Sequence, residues 1–204
     1  MATLIRDEEL EKQLREQRSA WGGDRYDEVW DGVYVMAALP TDEHQDLVSG
    51  FNCALYDAIQ AEGLGRVRPG VNVSDRKFDW KENYRCPDVV VFLNNTSAVN
   101  METHWFGGPD FAIEVISPND EARLKLAFYA SVRVRELLIV DRFPWKLELY
   151  RLDAGELRLV EVVEPDDGKC ISSQVLPITL KLYADEDRPA IEVVHGETGK
   201  KWLV

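Results

Sequence analysis

The sequence predicts an α/β domain built on a mixed central sheet flanked by helices, with extra antiparallel strands toward the C-terminus. Three observations carry this expectation. Residues 86–93, 111–116 and 136–141 form almost unbroken apolar runs, as suits strands buried on both faces. The succession strand, helix, strand over 111–141 is long enough for a crossover, which makes 111–116 and 136–141 parallel neighbours. Residues 146–151 and 156–163 alternate like an antiparallel edge hairpin around Asp153-Ala154-Gly155. A chain of 204 residues is one domain, or one domain with an elaboration, and needs no covalent staple.

Each element has a local reason. Residues 6–19 read as a short polar helix with charges four apart and little apolar face, stopped by Gly22-Gly23, and suited to an arm or a dimer contact. Residues 32–37 follow as a strand. Thr41 after Pro40 is a helix N-cap, with Asp42 and Glu43 where the dipole favours acids. That helix runs to about Glu62, because Leu47, Val48, Phe51, Leu55 and Ile59 recur at spacings of three and four. Strand-like segments near 66–74 and 86–93 come next, then a loop over 94–109. Ser117-Pro118-Asn119-Asp120 ends the 111–116 strand and caps a helix at about 120–131. Beyond 163 the chain reads as short strands and turns.

Composition narrows the function. The 37 acids against 24 bases give a net charge of −13, which taken whole disfavours binding to a phosphate backbone. The distribution is uneven. Residues 31–65 and 86–122 contain no Lys or Arg, whereas 121–151 hold seven bases against four acids. Such clustering is either an ordinary solvated face or a basic track beside an acidic site. Cys53, Cys86 and Cys170 are widely spaced and odd in number, which argues against a disulfide framework and a structural zinc. The N-terminus lacks the apolar core of a signal peptide and no run approaches a membrane span, so a soluble cytoplasmic protein is expected. No P-loop, GxSxG or complete GxGxxG occurs.

Two acids interrupt buried strands. Asp88 follows Pro87 at the mouth of one, and Glu114 stands mid-strand on the face shared by Ala112 and Ile116. An ionised carboxylate there must be paired, hydrogen-bonded or ligating a cation. On adjacent strands at one level, the pair forms a hard oxygen site for Mg²⁺ or Mn²⁺; alternatively each pairs with a basic side chain. Lys125 either makes a surface ion pair with Glu121, four residues before it, or bends its ammonium into the carboxylate site. His44, in the first helical turn, is either exposed or directed to that site. His104 and His195 have no partners in sequence.

PDVVVF, then FAIEVISPNDEARLKLAFYASVRVRELLIVD, then LELYRL resemble the bacterial Uma-type restriction endonuclease family, a branch of the PD-(D/E)xK nuclease superfamily. The likeness covers about residues 25–160. It implies a restriction-endonuclease-like core, a divalent metal and phosphodiester hydrolysis. By the resemblance, Asp88 takes the place of the PD aspartate and Glu114 that of the (D/E)xK acid, both as metal ligands. The position two after Glu114 is Ile116 instead of lysine, and the lysine is displaced to Lys125, with Glu121 as the acid four before it. His44 matches a family histidine after the Pro-rich turn, and Glu28 an acidic position near the start of the domain. Residues 1–24 are then an N-terminal helical arm, 25–160 the nuclease-like core and 161–204 a β-rich extension packed on it.

The expected function is a Mg²⁺- or Mn²⁺-dependent endonuclease acting on DNA, with weak, salt-sensitive binding and a homodimer to support it. Two alternatives stay open: the same fold kept as a non-catalytic binding or oligomerisation module, or an acidic surface that binds another protein. The second draws on the eleven acids and six bases of residues 152–204.

Overall fold

Alternate residues of the Phe111–Ile116 strand pack into two separate cores. Phe111, Ile113 and Val115 join Leu47, Phe51 and Leu55 of the helix Asp42–Leu55 on one side, and Ala112 and Ile116 join Phe128 and Tyr129 on the other. A strand covered on both faces has no polar parity, which is why its sequence reads as a continuous apolar run. The computed structural model describes residues 3–117 and 122–204. The proposed cap at Asn119-Asp120, and Glu121, lie outside the described residues.

The central sheet has six strands in the order Glu156–Val163, Trp145–Asp153, Glu136–Arg142, Phe111–Ile116, Val89–Leu93, Gly65–Pro69. Phe111–Ile116 and Glu136–Arg142 are parallel, with Phe111 opposite Glu136 and Ile116 opposite Asp141, and the other pairs are antiparallel. The sheet is thus mixed, as the crossover and the hairpin require.

One face is covered by Asp42–Leu55, capped by the Thr41 side chain accepting from His44 N at 3.3 Å, and by a four-stranded antiparallel sheet from Ile171–Ser172 to Lys201–Leu203. The helix is shorter than its periodicity suggests. It gives way to a π-helical turn, Tyr56–Gln60, which keeps Ala58 and Ile59 buried. The opposite face carries a 3₁₀ turn, Ala122–Lys125, continuing into the short helix Leu126–Ser131.

A seven-stranded sheet of short strands lies beside this core. It includes Val73–Ser74, so the segment expected as one strand near 66–74 is divided between two sheets. It also includes Val99–Asn100 and Trp105–Phe106 from the region expected to be a loop. These pieces were hidden because none is long enough to show a period. The N-terminal strand Thr3–Ile5 pairs with Val33–Met36, and Arg18 of the helix Glu8–Ala20 binds Asp27 at 2.6 Å.

One backbone approach yields a direct prediction. A Cβ on Gly65 would lie 2.4 Å from the carbonyl oxygen of Phe92 on the paired strand. Backbone cannot yield as a flexible side chain can, so Gly65→Ala should cost about 1–3 kcal/mol. Thermal unfolding should show the loss as a lower melting temperature, and an unchanged value would refute it.

Candidate active site

Strand register delivers the first two carboxylates. Phe111 faces Val91 and Ile113 faces Val89, so one further step brings Glu114 level with Asp88. Val115 N donates to Asp88 Oδ2 at 2.8 Å, fastening the Asp88 side chain to the Glu114 strand. The seven-stranded sheet supplies a third acid. Glu28, at the start of the strand Glu28–Trp30, accepts from Cys86 N at 2.8 Å through Oε1 and from Trp30 Nε1 at 2.6 Å through Oε2. That strand is braced by Arg85, whose guanidinium lies 5.0 Å from the Trp30 ring and 4.2 Å from the Phe128 ring and donates to Val29 O.

Lys125 closes the cluster. Its Nζ lies 3.1 Å from Glu114 Oε1 and 3.0 Å from Glu28 Oε1, so the ammonium reaches both carboxylates. Tyr129, four residues on, donates its hydroxyl to the same Glu114 oxygen. His44 Nε2 stands 3.3 Å from Asp88 Oδ1, while its buried Nδ1 has no hydrogen-bond partner among the described residues. Asp88, Glu114, Lys125, His44 and Glu28 all line one cavity of about 460 Å³.

The charges in this cavity are out of balance. Burial pushes the Glu114 carboxyl up to about 8; Lys125 opposes the shift, whereas Asp88 and Glu28 add to it. Burial likewise pushes the Tyr129 hydroxyl and the Cys86 thiol up, which keeps Tyr129 a hydrogen-bond donor to Glu114. Three acids against one lysine, in a pocket where a carboxylate resists ionising, is an arrangement that a small cation relieves.

The residues present fit a hard divalent ion. Asp88 and Glu114 offer oxygen donors of the kind such an ion prefers. Among the described residues no three His, Cys, Asp or Glu side chains converge closely enough to hold a metal unaided.

The sequence points to Glu28 only through the family resemblance and does not single out Tyr129. The Lys125–Tyr129 spacing of four was the available signal, since it places both on one side of a helix. The basic stretch 121–151 needs correction as a candidate phosphate track. Arg123 binds Asp141 and Glu148, Arg135 binds Asp110, Arg142 binds Glu43, Lys146 binds Glu148 and Arg151 binds Glu136. These bases chiefly hold the sheet together. His104 and His195 are structural: His104 Nε2 meets Arg76 O, and His195 Nδ1 accepts from Glu197 N and Thr198 N.

Fold and site together define a mixed α/β protein in which carboxylates from two central strands and a lysine from the following turn meet in one cavity. Residues 11–197 match the model of the Uma2 family, described as "Putative restriction endonuclease", and the chain belongs to that family. A solved structure described as "a putative nuclease belonging to DUF820 from Anabaena variabilis ATCC 29413" has the same fold. It is 17% identical with a TM-score of 0.57, over 72% of this chain and 80% of that one. No curated protein matches the chain. Among the described residues no helix is long and apolar enough to cross a membrane.

Proposed function

We propose that the chain is a divalent-metal-dependent nuclease that hydrolyses phosphodiester bonds in DNA, with Asp88 and Glu114 as metal ligands. The observation that carries this reading is the position of Lys125 Nζ, 3.1 Å from Glu114 and 3.0 Å from Glu28 in the cavity that Asp88 also lines. A divalent ion held there would offset charge on the scissile phosphate and activate water. The side chains around it have separable tasks. Lys125 orients the attacking water or stabilises charge gathering on a phosphoryl oxygen. Val115 N and His44 fix the two oxygens of Asp88, and Tyr129 fixes Glu114. Glu28 holds the ammonium from its far side.

Cleavage of plasmid and of single-stranded DNA with Mg²⁺ or Mn²⁺ tests the proposal. Asp88→Ala, Glu114→Ala and Lys125→Ala should each abolish it, and activity that survives all three belongs elsewhere. Metal linkage gives an independent readout. At ten times its dissociation constant Mg²⁺ should add about 1.4 kcal/mol to stability, and the increment should vanish in Glu114→Ala. A flat response to both metals would sink the reading. With most bases of 121–151 already paired and a net charge of −13, few phosphate contacts can form and DNA binding should be weak.

A further inference from the structure

The cavity extends well beyond its acidic end, and the remainder is of a different chemical character. Along the helix Asp42–Leu55 its wall is formed by Gln45, Ser49 and Asn52, and Tyr26 and Gly70 also line it. Lys125 is the only Lys or Arg among the described lining residues. That wall carries no cation for a second or third phosphate, and offers amides, a hydroxyl and an aromatic ring instead.

The Tyr26 ring packs closely against Gly70 in the wall of the same cavity. A Cβ on Gly70 would lie 2.7 Å from Tyr26 Cε1, so the ring rests against bare backbone, at a residue whose φ of +54° also favours glycine. Gly70 N in turn donates to the Asp88 carbonyl oxygen at 3.0 Å. Tyr26 is 36% exposed, and the Arg25 guanidinium stands 5.4 Å from its ring centroid. A part-exposed aromatic ring with a neighbouring arginine, lining the same cavity as the proposed metal ligands, is the equipment with which proteins hold unstacked bases. The volume of about 460 Å³ falls in the range of roughly 300–1,000 Å³ typical of small-ligand clefts.

We propose that this cavity holds one unpaired nucleotide adjoining the phosphate to be cut, its base stacked on Tyr26, so that the substrate is single-stranded DNA and not an intact duplex. The inference rests on the nuclease reading above and names its substrate class. A base within a duplex is already stacked on both faces, and reaching Tyr26 would require its extrusion.

The test begins with the Mg²⁺-induced shift in melting temperature of the full chain, in wild type, Tyr26→Phe and Tyr26→Ala. The shift should be the same in all three, because Tyr26 is no ligand. Each Mg²⁺-loaded protein is then titrated calorimetrically with deoxyadenosine monophosphate, which has no bond to cut, and with inorganic phosphate. The nucleotide should bind wild type and Tyr26→Phe at least tenfold more tightly than phosphate does. Tyr26→Ala should lose roughly five- to 150-fold in nucleotide affinity and none for phosphate. Single-stranded DNA should be cut faster than a duplex of the same sequence. Equal binding of nucleotide and phosphate, an unaffected Tyr26→Ala, or preferred duplex cleavage would overturn the inference and leave the nuclease reading intact. A missing Mg²⁺ shift would instead remove both.

Discussion

Replacing Lys125 by methionine is expected to lower the melting temperature at pH 8 by roughly 6–20 °C and to reduce cleavage by about two to three orders of magnitude. The stability figure follows from what the ammonium separates. Glu28 and Glu114 each have a side-chain exposure of 7%, and both point one oxygen at Lys125 Nζ. Removing one member of a buried ion pair costs about 3–5 kcal/mol, because the remaining charge is left uncompensated. For a chain of this size each kcal/mol is worth roughly 2–4 °C. The rate figure is that expected for loss of one fixed electrostatic stabiliser. Methionine keeps the length and apolar stem of lysine, so packing loss contributes little.

The same substitution carries its own control. Glu114, its carboxyl already pushed up to about 8, escapes the isolated charge by taking a proton. The deficit should therefore shrink at pH 5, where that proton is readily available, and also in Mg²⁺. A variant that melts within 2 °C of wild type at pH 8 would mean that Lys125 is not the counter-charge of the cluster.

Much of this was legible in the sequence where local pattern and tertiary demand coincide. The Phe111–Ile116 strand was readable because both its faces are buried, and Glu114 stood out because nothing else in that run is polar. Asp88 was readable for a similar reason, directly before an apolar strand. Lys125 needed the family likeness, since four-residue spacing from Glu121 on its own favoured a surface pair. Glu28 was hard to see because its membership depends on a second sheet. Only the pairing of Val29 with Tyr84 brings its carboxylate to Cys86 N, across 58 residues of chain. The basic stretch misled for the mirror-image reason: Glu43 and Asp110, which neutralise Arg142 and Arg135, lie far away in sequence, within the base-free acidic windows. Local charge counts cannot detect pairing between distant segments.

Glu114→Gln should abolish cleavage yet make the metal-free protein more stable at alkaline pH. In the unfolded chain this carboxyl titrates near about 4.3. In the folded chain burial, with Asp88 and Glu28 nearby, raises it to about 8 against the opposing pull of Lys125. A group whose folded value is raised stabilises fully below its unfolded value, and that contribution is lost as the pH climbs through the folded one. Between about pH 4 and 8 the folded protein must therefore either retain a proton that the unfolded chain gives up, or accept an ionised carboxylate in a dry pocket. Glutamine, which never ionises, removes this pH-dependent loss. It also takes one partner from Lys125, so the net gain should be about 1–3 kcal/mol, or roughly 2–12 °C, at pH 8.5, and close to zero at pH 4.5. Mg²⁺ should reverse the order of the two proteins, stabilising wild type and leaving the variant where it was, because the oxygen that made the site costly is the one the metal needs. If wild type and Glu114→Gln trace the same stability curve from pH 4.5 to 8.5, Glu114 is not held under electrostatic strain, and the argument that a cation relieves this cavity fails with it.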